Sequence, residues 1–336
     1  MEELPTSKAV KGVPVTVTDF IEAGAERLGL RLLAGASRAG KVIREPVVNR
    51  CGLALTGFFE NFAASRVQIV GNAEAAYLRS LSELEREKRF RALARRRAWL
   101  FVFTAGRVPG DRLLRLAEEI GAVVLATDVP TRIFGRIATF ILETLAAPRT
   151  SLYGTMVEVG GLGVLFEGDP GLGKSETALG LIKRGASLVA DDLTCIRKDV
   201  ASNLLFGSAS EATAGYMEIR GIGILDVAGV FGVNAIRGEK RLGLVITFRK
   251  LDEIRGEVDR IGQTRRTRKI LGVDVPNIII PVSEGRDLVN LVETAAQQQK
   301  LVAAGYDPVA VLSARLKRRA VKPHSEKIRK GRTHGR

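Results

Sequence analysis

The sequence predicts an α/β protein of two domains, on three observations. The chain has 336 residues, enough for two domains that each bury a core. Short apolar runs of strand character alternate with charged or amphipathic segments at helical period. One strand–loop–helix junction in the second half contains GDPGLGKS, Gly168 to Ser175, a complete G-x-x-x-x-G-K-[ST] string.

The first domain, 1–147, reads as an open α/β unit. Residues 13–17 and 30–34 are expected to be strands, 66–71 a strand leading into one long charged helix over 74–96, and 99–104 a further strand. A helix over 111–120, a strand over 122–126 and an amphipathic helix over 132–146 complete it. Pro148-Arg149-Thr150-Ser151 reads as a linker. The second domain, 151–314, has strands over 162–166, 242–248 and 278–282 and a final helix beginning near Asp287. Residues 315–336 read as a basic tail, disordered at its end. They hold ten Lys/Arg against one acid, Glu326, and so carry nine of the fifteen net positive charges.

The string at 168–175 has the context it needs. An apolar run precedes it, and a helical segment over 176–184 follows, closed by Gly185. Glycines let the backbone turn tightly so that successive amides of Gly168, Asp169, Pro170, Gly171, Leu172, Gly173, Lys174 and Ser175 face phosphate, proline alone lacking an N–H. Lys174 would reach the β- and γ-phosphates, and Ser175 would ligate Mg²⁺. A second string, Gly35-Ala-Ser-Arg-Ala-Gly40-Lys41, has the same glycine and lysine spacing. Val42 stands where the hydroxyl belongs and Pro46 precludes a following helix, so it reads as a loop between two strands with no function.

Composition excludes several classes. The two histidines, His324 and His334, both lie in the tail, which rules against Ser-His-Asp hydrolysis, His-ligated zinc and histidine general-base catalysis in the folded body. Proton transfer must then fall to carboxylates, lysine, tyrosine or a thiol. No apolar run approaches the ~20 residues that span a bilayer. The polar start is no signal peptide, and two cysteines suit a reduced cytoplasmic protein. The tail has no aromatic residue on which a base would stack, so it reads as a solvated extension, not a nucleic-acid contact.

Past Gly185 an apolar strand ends in Asp191-Asp192, at the same sheet edge as the glycine loop. Adjacent carboxylates there suit a split of roles, one near metal and one accepting a proton. Met217-Glu-Ile-Arg-Gly-Ile-Gly-Ile-Leu-Asp226 then supplies a cationic turn around Arg220.

Taken in order, GDPGLGKSETALGLIKRGASLVADD (168–192), MEIRGIGILD (217–226), DRIG (259–262) and PVSEGR (281–286) resemble the HPr kinase/phosphorylase family. CGLALTGFFENF (51–62) is similar to that family's first domain. The resemblance implies a C-terminal domain of the phosphoenolpyruvate-carboxykinase-like P-loop type and a homohexamer. It also implies transfer of phosphate from ATP or pyrophosphate to a serine of the phosphocarrier HPr, with phosphorolysis by inorganic phosphate in reverse. Carried over, Lys174 and the loop amides hold phosphates, and Ser175 and Glu218 hold Mg²⁺. Asp192 accepts the proton in the forward step and returns it in reverse, and Arg260 stabilises transferring charge. Pro281, Val282, Ser283, Glu284, Gly285 and Arg286 match the segment tied to dephosphorylation.

The sequence departs from the family twice. The family's histidine, fifteen residues before the first loop glycine, is Tyr153 here. A tyrosine hydroxyl ionises only near pH ~10, which makes it a poor proton shuttle at neutral pH. The family's Arg-Pro is Ser283-Glu284, and the following Asn is Asp287, which sets an anion near incoming phosphate. Phosphorolysis is therefore expected to be the weaker direction. Two alternatives remain at this level: a nucleotide-binding regulator with impaired phosphorylase activity, and a GTPase, for which Arg249-Lys250-Leu251-Asp252 partly resembles a guanine-reading string.

Overall fold

The computed structural model describes residues 12–254 and 266–320. Two compact units divide at Pro148–Arg149.

In the first unit, strands β1 (Arg31–Ala34), β2 (Val48–Arg50), β3 (Val67–Val70), β4 (Leu100–Phe103) and β5 (Val123–Ala126) form one sheet in the order β1-β5-β4-β3-β2. β1 is antiparallel to β5 and the remaining pairs are parallel. Both faces are covered, as a parallel sheet requires. Along β4 the alternation is clean: Leu100 and Val102 pack into one core with α1 (Val17–Ala23) and α7 (Thr131–Ala146), while Phe101 and Phe103 pack into the other. Helices α3 (Gly52–Thr56), α4 (Asn72–Ser80), α5 (Glu83–Arg95) and α6 (Asp111–Ile120) cover that second face.

Three expectations change. The strand over 13–17 is instead the entry to α1, because Thr16 and Asp19 form a reciprocal capping box that starts a helix at Val17. The single helix over 74–96 is two, since Ser82 is extended and caps α5 by accepting from the Glu85 amide. The linker at 148–151 is largely strand: β6 (Arg149–Tyr153) pairs antiparallel with β10 (Leu193–Asp199).

The second unit is built on a mixed sheet running β6-β10-β11-β14-β8-β7-β9, with β16 also on β14 and β15 on β16. Here β7 is Thr155–Val159, β8 Leu162–Glu167, β9 Ser187–Ala190 and β11 Leu204–Ser208. β14 is Glu239–Lys250, β15 Arg266–Ile270 and β16 Val273–Val282. A separate hairpin joins β12 (Tyr216–Ile219) to β13 (Gly223–Asp226). Val164 and Phe166 of β8, with Leu244, Ile246 and Phe248 of β14, face α8 (Lys174–Ile182) and α10 (Leu288–Ala303). Leu165 and Val245 face the opposite core with Ile196, Leu205 and Ile270.

α10 is not the last helix. Asp307 accepts from the Val309 and Ala310 amides, and Pro308 opens α11 (Pro308–Ala320). Residues 315–320 are thus helical, which corrects the reading of the tail. The rest of it, 321–336 with both histidines, lies outside the described residues. Among the described residues no helix is long and apolar enough to cross a membrane.

Candidate active site

Four strands deliver their carboxyl ends to one edge. β14 is parallel to both β8 and β16, and β7 runs antiparallel to both β8 and β9, so β8, β9, β14 and β16 share a direction. After β8 comes the glycine loop, after β9 the pair Asp191-Asp192, and at the end of β16 the segment 281–286. Functional residues of open α/β sheets gather at such an edge.

The loop is made by its glycines. Gly168 has φ 145°, and a Cβ there would lie 2.6 Å from the Phe248 carbonyl oxygen. Gly171 and Gly173 have φ 85° and 82°, and Gly173 is the N-cap of α8. Among the described residues no backbone acceptor takes the amides of Gly171 through Ser175. These are the orphan donors that a helix N-terminus offers to an anion. Lys174 Nζ donates to the carbonyls of Gly168 at 2.8 Å and Asp169 at 3.1 Å, which keeps the ammonium over the loop. The Arg220 guanidinium, in the β12–β13 connection, lies 3.8 Å from where a Gly171 Cβ would sit.

The two aspartates have different surroundings. Asp191 is buried; its Oδ1 accepts from Thr155 Oγ1 at 2.7 Å and Ser175 Oγ at 3.0 Å, and its Oδ2 from the Glu218 amide at 3.0 Å. It ties β7, α8 and β12 together. Asp192 is exposed and left-handed, φ 61°, and its carbonyl accepts from the Gly154 amide at 2.8 Å. That bond, and the pairing of Tyr153 with Leu193, place Tyr153 beside Asp192 along the β6–β10 edge; the tyrosine is 80% exposed. Sequence reasoning weighs both acids but selects no role for Asp191 or Thr155. The one available signal is that two acids after an apolar strand must point in different directions.

Glu218 is exposed, on β12. Among the described residues no three His, Cys, Asp or Glu cluster as a metal site. The donors present are still hard oxygens, with the Ser175 hydroxyl hydrogen-bonded to the Asp191 carboxylate. Mg²⁺ takes few protein ligands and completes its shell with water and phosphate, so this set fits it. Glu167, the last residue of β8, is buried on the opposite sheet face. Burial pushes its carboxyl up against the pull of Arg268, whose Nε stands 3.3 Å away without hydrogen-bond alignment.

The 281–286 segment ends in a tight turn. The Arg286 amide donates to the Ser283 carbonyl at 3.2 Å, with Gly285 at φ 74°. Glu284 occupies the second turn position, where proline is favoured. Asp287 caps α10 by accepting from the Asn290 amide at 3.0 Å, a role aspartate and asparagine fill equally well. Lys250 closes β14 level with Val282, and 251–254 is a single 3₁₀ turn. Arg260 lies outside the described residues.

A glycine loop opening a helix at the carboxyl edge of a mixed sheet, with a hydroxyl and carboxylates beside it, defines an α/β protein with a site of the right chemistry to receive phosphate. Comparison with known proteins narrows the class. The family described as HPr Serine kinase N terminus matches residues 15–142, and the HPr Serine kinase C-terminal domain matches 144–316. The HPr kinase/phosphorylase of Leptospira biflexa is 38% identical over 305 residues, 90% of this chain and 94% of that protein. That of Caldicellulosiruptor bescii is 40% identical over 277 residues, 82% of this chain and 88% of that protein. A solved structure of the Hpr(Ser) kinase/phosphatase from Coxiella burnetii is 34% identical with a TM-score of 0.45, covering 48% of this chain and 98% of that one. The chain belongs to the HPr kinase/phosphorylase family.

Proposed function

We propose that this protein transfers the γ-phosphoryl group of ATP, or a phosphoryl group of pyrophosphate, to a serine of HPr, and runs the reverse phosphorolysis with inorganic phosphate. The observation that carries this reading is the meeting of the glycine loop, Asp191-Asp192 and the 281–286 turn at one sheet edge. Phosphoryl transfer asks for positioning, cations and one base, and needs no histidine.

In the forward step the serine oxygen forms the new bond to phosphorus, its proton passes to Asp192, and the bond to the departing phosphate oxygen breaks. In reverse, an oxygen of inorganic phosphate attacks, the serine oxygen leaves, and Asp192 returns the proton. Lys174 and the loop amides, those of Gly171–Ser175 foremost, hold the donor phosphates, and Arg260 stabilises the moving charge. Ser175 and Glu218 would hold Mg²⁺, which supplies charge neutralisation across the phosphate oxygens. Asp191 orients the Ser175 hydroxyl through the 3.0 Å hydrogen bond. Tyr153 offers a hydroxyl for hydrogen bonding beside Asp192.

The finer assignments rest on the family: a phosphoenolpyruvate-carboxykinase-like catalytic domain over 151–314 after an N-terminal domain over 1–147, a homohexamer, and a cytoplasmic setting. Tyr153 and Ser283-Glu284 favour a second reading, a nucleotide-binding regulator with impaired phosphorylase activity.

Intact-mass analysis of HPr incubated with the protein and Mg-ATP decides between them. One phosphate on one HPr serine, absent with Lys174→Ala, supports the kinase. Unmodified HPr with nucleotide still bound supports the regulator. GTP hydrolysis without any acceptor would instead support a GTPase.

A further inference from the structure

The second glycine-lysine string, 35–41, lacks the backbone geometry of a phosphate loop, yet its Arg38 and Lys41 line a cavity in the first unit. Beside it opens a cavity of about 700 Å³, within the size range of small-molecule sites. Five cations line it: Arg38 and Lys41 from the string, Arg44 just after it, and Arg96 and Arg97 just past the end of α5. Trp99 forms part of the wall, with the Lys41 ammonium 4.0 Å from its ring centroid.

These charges are unbalanced. Among the described residues none of the five makes an ion pair with a carboxylate. Glu45, the acid in the lining, is already engaged by the Ser65 hydroxyl and by Arg66 Nε at 2.9 Å. Burial, then the neighbouring Arg38 and Arg44 charges, hold the Lys41 ammonium below the usual lysine range. Converging cations repel one another, and a concave wall concentrates their field. An anion in the cavity relieves both costs. A single charge leaves most of the five unmatched, so the fit is to a ligand with several.

We propose that this cavity is a binding site for a small anion bearing two or more linked phosphate groups, separate from the phosphate loop. Guanidinium groups suit phosphate oxygens in pairs, and ammonium supplies a point charge. A free polyphosphate and a nucleoside polyphosphate share this chemistry.

Trp99 makes the site readable in the full-length protein, because it is the chain's one tryptophan. Inorganic tripolyphosphate is titrated into the Lys174→Ala protein, which removes the loop's own lysine from the experiment. Trp99 emission and heat of binding are followed together. The expected result is a saturable change at one equivalent that weakens as salt rises. Arg44→Gln combined with Arg97→Gln, both exposed positions, should weaken it at least about tenfold while thermal unfolding stays in place. ATP binding more tightly than tripolyphosphate assigns the ligand to nucleotides; equal binding assigns it to the phosphate chain. The proposal is overturned if neither heat nor emission changes up to millimolar tripolyphosphate, or if the double variant binds as well as its parent. It is also overturned if only a long single-stranded DNA moves the Trp99 signal, which marks a polymer surface in place of a pocket.

Discussion

Two stretches of this chain spell G-x-x-x-x-G-K, and the fold uses them in opposite ways. At 168–174 the first glycine threads past the Phe248 carbonyl and the last caps a nine-residue helix, leaving amides free. At 35–41 the first glycine, φ 83°, packs against strand β5, where a Cβ would meet the Ala122 carbonyl oxygen at 2.5 Å. The last, Gly40, has open space and no special φ. There the loop offers carbonyls: those of Ala39 and Lys41 accept from the Thr18 and Val17 amides at the start of α1. Among the described residues, one string leaves its amide donors without backbone acceptors and the other presents acceptors to a helix. Spacing is shared, and flanking structure decides the sign.

Four experiments put that contrast at risk. The largest effect belongs to the loop chemistry. Asp192→Asn should lower the HPr phosphorylation rate about 10²–10⁴-fold, and Lys174→Ala about 10²–10³-fold, both with little change in thermal unfolding. A Lys174→Ala enzyme within twofold of its parent would mean that 168–174 is as idle as a phosphate loop as 35–41. Second, Asp191→Ala strands the Thr155 and Ser175 hydroxyls and the Glu218 amide, at about 1–3 kcal/mol for each that water does not reach. Chemical denaturation should show a loss of several kcal/mol, in contrast to Asp192→Asn. Third, alanine separates the glycines. Gly168→Ala should destabilise by roughly 1–3 kcal/mol, whereas Gly40→Ala should be neutral or stabilise by up to about 1 kcal/mol. The smallest effect is at the 283–286 turn. Ser283→Arg with Glu284→Pro should improve phosphate use in phosphorolysis by up to about tenfold, since it exchanges an anion for a cation and pre-sets the turn. Steady-state kinetics in phosphate reads that directly.

Much of this is legible in the sequence, and the misses have local causes. The strand–loop–helix at 162–182 is readable because apolar period, glycines and hydroxyl agree. The β4 and β5 runs are readable because a sheet covered on both faces leaves unbroken apolar segments. The break at Leu81-Ser82 escapes notice because charge continues through it and only Ser82 signals a cap. Arg149–Tyr153 resembles a linker because its proline and polar neighbours hide an edge strand whose partner, β10, lies some forty residues away. At the site, the glycine loop is visible while the Asp191 hub is not. Its three donors come from separate elements, and no local pattern encodes that meeting. The cationic cavity is hidden for the same reason: Arg38, Lys41 and Arg44 are distant in sequence from Arg96 and Arg97.

The left-handed backbone at Asp192 bears on how such a protein changes over generations. At φ 61° only glycine, asparagine and aspartate sit without much strain. From an aspartate codon, asparagine and glycine are each one transition away. A lineage can therefore silence the proposed base by a single nucleotide change while keeping its fold and its phosphate loop. Its neighbour Asp191, held by three donors, has no such exit. Adjacent codons in one gene thus carry different fates: one is a ready route to a folded, inactive descendant, and the other a route to a less stable one.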